Sequence, residues 1–146
     1  MDGKIILLVE DNPDDELMTL MALRENHVSN PIIVARDGEQ ALAYLLGDPA
    51  QPAQLLRPLP QLVILDLGLP KVHGLEVLKA IRGNPSTHLL PVVILTSSTQ
   101  EDELARSYTL GANSVVRKPL EHSDFVGAVR QLGLYWMVLN EPPPLV

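Results

Sequence analysis

Leu62-Val63-Ile64-Leu65-Asp66 is a run of four aliphatic residues that stops at an acid. A run this short and this apolar reads as a strand buried on both faces of a parallel sheet. Three other pieces have the same design: Leu7-Leu8-Val9-Glu10-Asp11, Val92-Val93-Ile94-Leu95-Thr96 and Val115-Val116-Arg117-Lys118-Pro119. They end at a pair of acids, at a hydroxyl and at Lys-Pro. In an open α/β sheet the ligand sits beyond the carboxyl ends of the strands. That edge would carry Glu10, Asp11, Asp66, Thr96 and Lys118. Three carboxylates, a hydroxyl and an ammonium in one crevice suit a hard cation and a phosphoryl group.

Working outward, strands and helices alternate along the chain. The first strand runs from Lys4 to Val9, and Asn12-Pro13 supplies an N-cap with proline at the first helical position. Leu17, Met18, Met21 and Ala22 carry that helix to about Asn26. Pro31 to Ala35 is the second strand, and Asp37-Gly38 opens a helix with Ala41, Leu42, Leu45 and Leu46 on one face. Gly47 to Pro60 holds four prolines and reads as a loop. After the third strand, Leu62 to Asp66, a helix spans Gly74 to Arg82. Pro91 to Thr96 is the fourth strand. Thr99 is expected to cap a helix that runs to Leu110 and stops at Gly111. Ser114 to Arg117 is the fifth strand. A last helix starts near Ser123 and extends to Leu139. Consecutive βα units with right-handed crossovers leave few topologies. The acids of strands one and three meet only if those strands are neighbours. That selects the doubly wound, flavodoxin-like order 2-1-3-4-5, with five helices.

The bulk properties fit this picture. The chain of 146 residues reads as one domain, with a core over about 4–134 and a C-terminal extension and tail over 135–146. A net charge of −7 argues against nucleic-acid and anionic-membrane partners. The chain has no cysteine, which leaves no thiol nucleophile and no disulfide framework. No apolar run approaches the roughly 20 residues needed to span a bilayer. Met1-Asp2-Gly3-Lys4 lacks a signal-peptide pattern, and a cytoplasmic location is expected.

The acids can be given work. Asp11 and Asp66 offer hard oxygen ligands to one Mg²⁺, which commonly takes one or two carboxylates plus waters and phosphate oxygens. The backbone carbonyl of Gly68 is placed to add another ligand. Glu10, longer and one position away, would hold a metal-bound water. Without a cation these carboxylates would raise one another's pKa. Lys118 supplies a counter-charge, and Thr96 a hydroxyl for a phosphate oxygen.

Glu10-Asp11-Asn12, Asp66-Leu67-Gly68-Leu69-Pro70, Thr96-Ser97 and Lys118-Pro119 resemble the receiver domain of two-component response regulators. The resemblance covers roughly residues 4–134. It implies that Asp66 is the phosphoacceptor, attacking the phosphohistidine of a sensor histidine kinase with Mg²⁺ (or Mn²⁺) bound. Glu10 and Asp11 match the acid pair, Thr96 the switch hydroxyl and Lys118 the phosphate-contacting lysine. Asn12-Pro13-Asp14-Asp15, Ala35-Arg36-Asp37-Gly38, the proline-bearing loop and Leu134-Tyr135-Trp136 resemble single-domain receivers that partner phytochrome-type kinases. With no output domain expected after Leu139, such a protein would act through its own surface or relay phosphate, and would not be an enzyme on other substrates. Two positions depart from the family. Gly68 stands where many receivers have Asn, and Val115 where many have the aromatic that reorients on activation.

Two other classes share this donor set. A Mg²⁺-dependent phosphohydrolase of the haloacid-dehalogenase kind would also use Asp66 as covalent nucleophile, but it places a second aspartate two positions later, where this chain has Gly68. A receiver-shaped binding module acting without phosphorylation typically loses one site residue, and here all are present. His27, His73, His88 and His122 lack metal-ligand spacing and read as surface residues, His73 with a possible place on the site's rim. Asp14 and Asp15 read as helix first-turn acids that favour the macrodipole. Arg82, Arg106 and Arg130 read as helix-face charges. Phe125, Val129, Leu132, Trp136 and Leu139 recur at spacings of four, three, four and three, one helical stripe. Its end, with Tyr135, Met137 and Val138, would leave apolar surface for a homodimer through the fourth helix, fifth strand and last helix.

Overall fold

Aliphatic runs with no polar alternation need cover on both faces, and the helices between them supply it. A computed structural model describes residues 4–25, 30–47, 59–119 and 121–144, at His122 the backbone alone. Asn26, His27, most of the loop expected over Gly47 to Pro60, the first three residues and Leu145-Val146 lie outside them. The elements are β1 (Ile6–Val9), α1 (Pro13–Glu25), β2 (Ile32–Ala35), α2 (Gly38–Leu46), β3 (Leu62–Leu65), α3 (Gly74–Gly83), β4 (Val92–Thr96), α4 (Glu101–Thr109), β5 (Ser114–Arg117) and α5 (His122–Leu134). The five strands form one parallel sheet in the order β2-β1-β3-β4-β5. This is the flavodoxin-like arrangement, as expected. Among the described residues no helix is long and apolar enough to cross a membrane.

Successive strand residues point to opposite faces. Leu7, Val9, Val63, Leu65 and Ile94 therefore pack under α2 and α3, against Ala41, Leu45, Leu75, Leu78 and Ile81. Ile6, Leu8, Leu62, Ile64, Val93 and Leu95 pack under α1 and α5, against Ala22, Leu23, Phe125, Val129 and Leu132. The register sets Val9 beside Leu65, so the residues that follow each strand leave the sheet together.

Local chemistry starts most helices as expected. Asn12 Oδ1 accepts from the amides of Asp14 and Asp15 at 2.9 and 3.1 Å, capping α1. Asp37 accepts from the Gln40 amide at 2.8 Å, capping α2. The start of α4 differs. Gln100, not Thr99, is its N-cap, and no side chain caps it. The preceding turn is held instead by Thr96 Oγ1 and Ser98 Oγ, which accept from the amides of Ser98 and Gln100. Glu101, Asp102 and Glu103 occupy its first turn, where negative charge favours the helix dipole.

The last helix also differs from the continuous stripe. It ends at Leu134 and passes into one π-helical turn, Tyr135–Leu139, with the Asn140 amide bonded to the Tyr135 carbonyl at 2.7 Å. A π-turn inserts one extra residue, so the next large apolar side chain to be buried after Leu132 is Met137, five residues on rather than four. Met137 is 8% exposed and joins the core, Trp136 is only half-buried, and Val138 and Leu139 are 66% and 65% exposed. Arg82 is also not a simple surface charge. Its guanidinium donates to the carbonyls of Gly111, His88 and Leu90 and to Asn113 Oδ1, at 2.8–3.0 Å. It ties the end of α3 to the loops that precede β4 and β5.

Candidate functional site

The residues just past β1, β3 and β5, with the last residue of β4, line one open crevice of about 310 Å³. Glu10, Asp11, Asp66, Thr96 and Lys118 all lie on it, as the strand ends imply, and so does Gly68. Sheet pairing continues into the site: the Asp66 amide donates to the Val9 carbonyl at 3.0 Å, and the Lys118 amide to the Thr96 carbonyl at 2.6 Å. Behind Asp66 the chain turns so tightly that Gly74 lies against it. A Cβ at 74 would overlap the Asp66 carbonyl oxygen and the Leu67 Cα.

Glu10, Asp11 and Asp66 each offer an oxygen, all within 4.8 Å of one another. Glu10 is 1% exposed and Asp66 9%. Burial pushes the Glu10 carboxyl up to about 7, against the pull of its hydrogen bond with Lys118. Burial also raises Asp66. Lys118 opposes the rise, and the Asp11 and Asp15 carboxylates add to it. Crowded acids that resist ionising are the environment a hard divalent cation relieves, and their donor set fits one. A Cβ at Gly68 would meet nothing within 4 Å, so its small size is not required by packing.

Lys118 is the cation among these acids. Its ammonium donates to Glu10 Oε1 at 2.9 Å and to Asp15 Oδ2 at 2.8 Å, and lies 3.6 Å from Asp66 Oδ1. Burial favours its neutral form, but the hydrogen bond to Asp15, the charge of Asp66 and the hydrogen bond to Glu10 outweigh it and raise its pKa. Asp15 is therefore a site residue, not only a helix first-turn acid. Its signal in the sequence is faint: it lies in the first turn of α1, close after the Glu10-Asp11 pair that follows β1.

His73 does reach the rim. Its Nδ1 accepts from the Leu75 amide at 3.1 Å, capping α3, and its Nε2 lies 3.7 Å from Glu103 Oε2 on α4. His88 is exposed away from the crevice, its Nδ1 3.0 Å from the Pro85 carbonyl oxygen. Val115 is half-buried and borders a small gap with Thr96, Ser98 and Leu104.

A family model described as the response regulator receiver domain matches residues 6–130. Response regulator Rcp1 from Synechocystis sp. is 37% identical over 134 residues, which cover 92% of this chain and 89% of Rcp1. The Mn²⁺-bound crystal form of Rcp1 superposes with a TM-score of 0.88 at 35% identity, covering 97% of this chain and 99% of that one. The phosphorylated cyanobacterial phytochrome response regulator RcpA gives a TM-score of 0.87 at 34% identity, with the same coverage. The bacteriophytochrome response regulator AtBRR is 46% identical, with a TM-score of 0.72 over 97% of this chain and 100% of that one.

Proposed function

The chain belongs to the response regulator receiver domain family, and on that premise we propose that it accepts a phosphoryl group from a sensor histidine kinase onto Asp66. The observation that carries this reading is the meeting of Glu10, Asp11, Asp66, Thr96 and Lys118 in one crevice. An Asp66 carboxylate oxygen attacks the phosphorus of a phosphohistidine. The new O–P bond forms as the P–N bond breaks, and the imidazole nitrogen leaves with the electron pair. Lys118 neutralises charge gathered on the phosphoryl oxygens, and the Thr96 hydroxyl donates to one of them. Asp11, Asp66 and the Gly68 carbonyl would hold a Mg²⁺ or Mn²⁺ ion, with Glu10 on a water bound to it, and the ion would supply positive charge that lets the acids and the phosphoryl group share the site.

Phosphorylation adds about −1.5 to −2 charge beside the sheet. Thr96 and the turn into α4 follow that charge, and with Val115 in place of an aromatic the movement passes through backbone and α4 rather than a ring. The output surface in this reading is α4, β5 and α5. Tyr135, Val138 and Leu139 are exposed beside a half-buried Trp136, whose ring meets Tyr135 edge-on at 5.1 Å. Such an apolar patch fits a two-fold homodimer contact. The likeness to phytochrome response regulators supports a phytochrome-type kinase as donor. A cytoplasmic setting and a single receiver core over about 4–134 belong to the same proposal. The test is timed transfer from a panel of phosphorylated histidine kinases, phytochrome-type and others. Fast transfer from a phytochrome-type kinase supports both parts. Transfer from none of them opposes the acceptor role.

A further inference from the structure

We propose that Asp15 is a positioning residue that holds the Lys118 ammonium off Asp66 and releases it when a phosphoryl group arrives. The inference rests on the acceptor role given to Asp66 above. Both hydrogen bonds that the ammonium makes to acids go to Glu10 and Asp15, while Asp66 is 3.6 Å away. The Lys118 side chain is almost wholly removed from water. Its position is therefore set by the acids around it and not by solvent.

The two acids of this clamp are not equivalent. Glu10 is buried, and leaving it unpaired is costly. The Asp15 carboxylate is 22% exposed, so water can replace the ammonium there at lower cost. Asp15 also stands on a rigid support. Its amide donates to Asn12 Oδ1 at 3.1 Å, and its carbonyl accepts from Thr19 Oγ1 at 2.7 Å, inside the first turns of α1. The carboxylate is thus presented from a fixed helix end rather than from a loop.

This placement has a chemical consequence. An ammonium seated directly on Asp66 would compete with a divalent ion for the same oxygens. Held 3.6 Å away, it still stabilises the ionised acceptor but leaves those oxygens open. Once Asp66 carries a phosphoryl group, the added charge outcompetes the single charge of Asp15. Lys118 then keeps Glu10 and exchanges Asp15 for a phosphoryl oxygen. Asp14, the neighbouring first-turn acid, is exposed and can serve the helix dipole without Asp15.

The test is Mn²⁺ binding to the unphosphorylated protein, read by electron paramagnetic resonance, in wild type, Asp15→Asn, Lys118→Met and the double variant. Circular dichroism checks that each is folded. With Lys118 present, Asp15→Asn frees the ammonium to settle on Asp66 and Mn²⁺ binding weakens. In the Lys118→Met background only the lost charge remains. The loss in the first background is expected to exceed the loss in the second by about tenfold, the non-additivity of two residues in direct contact. Asp15→Glu, which keeps the charge, is expected to bind within about twofold of wild type on the same contact argument. Equal losses in the two backgrounds, or none in either, overturn the clamp. Wild type that takes up no phosphoryl group from acetyl phosphate overturns the acceptor role instead, and the release step with it.

Discussion

The Lys118 ammonium stands 3.6 Å from the nearer Asp66 carboxylate oxygen, inside ion-pair range and outside hydrogen-bond range. The two residues follow β5 and β3, with β4 between them. Their meeting therefore depends on the strand order and not on any local motif. It places a cation where it can favour an ionised Asp66 without covering it.

The first prediction concerns the ion. Asp11 contributes an oxygen to the acid triad while lying exposed on the crevice wall. Asp11→Ala should leave the fold unchanged, weaken Mg²⁺ and Mn²⁺ binding by at least about tenfold, and slow phosphotransfer in proportion. Excess chelator should stop transfer in wild type. Calorimetric metal titration beside a timed transfer assay checks both, and transfer at full rate in chelator would count against the assignment.

The second concerns pH. Glu10 titrates near 7 in the folded protein against a usual value of 4.5. An acid whose folded pKa is raised stabilises the fold in its protonated form. That contribution is complete below about 4.5 and fades as pH rises through about 7, because the folded state binds more protons in that window. Metal-free protein should lose this part of its stability on going from pH 5 to pH 7.5, and Glu10→Gln should flatten the slope. Urea midpoints across that range, in chelator, give the comparison. Parallel slopes for the two proteins would show that Glu10 is not the titrating group.

The third concerns the turn behind Asp66. Because a Cβ at position 74 would overlap the backbone of Asp66 and Leu67, Gly74→Ala must displace the end of β3. It should cost about 1–3 kcal/mol and impair labelling of Asp66. Gly68→Ala, which meets open space, should do neither to a comparable degree. Thermal melts with phosphodonor labelling separate the two glycines. A Gly74→Ala protein with wild-type stability and labelling would refute the contact.

Most of the fold could be read from the sequence because four strands announce themselves as aliphatic runs with polar ends. Asp66, Thr96 and Lys118 were legible for the same reason. Asp15 was not, because its partner Lys118 is 103 positions away and its place in a helix first turn offers a sufficient local explanation. Arg82 was hidden similarly: Gly111 and Asn113 lie 29 and 31 residues on. The π-turn was illegible because an ideal helical period continues to Leu139. The shifted register buries Met137 in the core cluster under α1 and α5, a tertiary effect that the local period does not carry. The cap of α4 falls one residue after Thr99, the usual margin at a helix start.

That register shift alters which residues test the dimer. Trp136 packs partly into the core, so replacing it would perturb the fold as well as a contact. Val138 and Leu139 face solvent. A Val138→Ser, Leu139→Ser protein should melt like wild type but stay monomeric by light scattering where wild type dimerises, with and without a phosphodonor. Wild type that is monomeric in both states at high concentration, or a double variant that dimerises equally well, would place the interface elsewhere.

The most direct measurement is the mass of the protein after incubation with acetyl phosphate and Mg²⁺, followed by location of the modified peptide. One added phosphoryl group on Asp66, lost in chelator and absent from folded Asp66→Asn, is the predicted result. A folded Asp66→Asn protein that carries the same label as wild type, or a wild-type label on another residue, would contradict it.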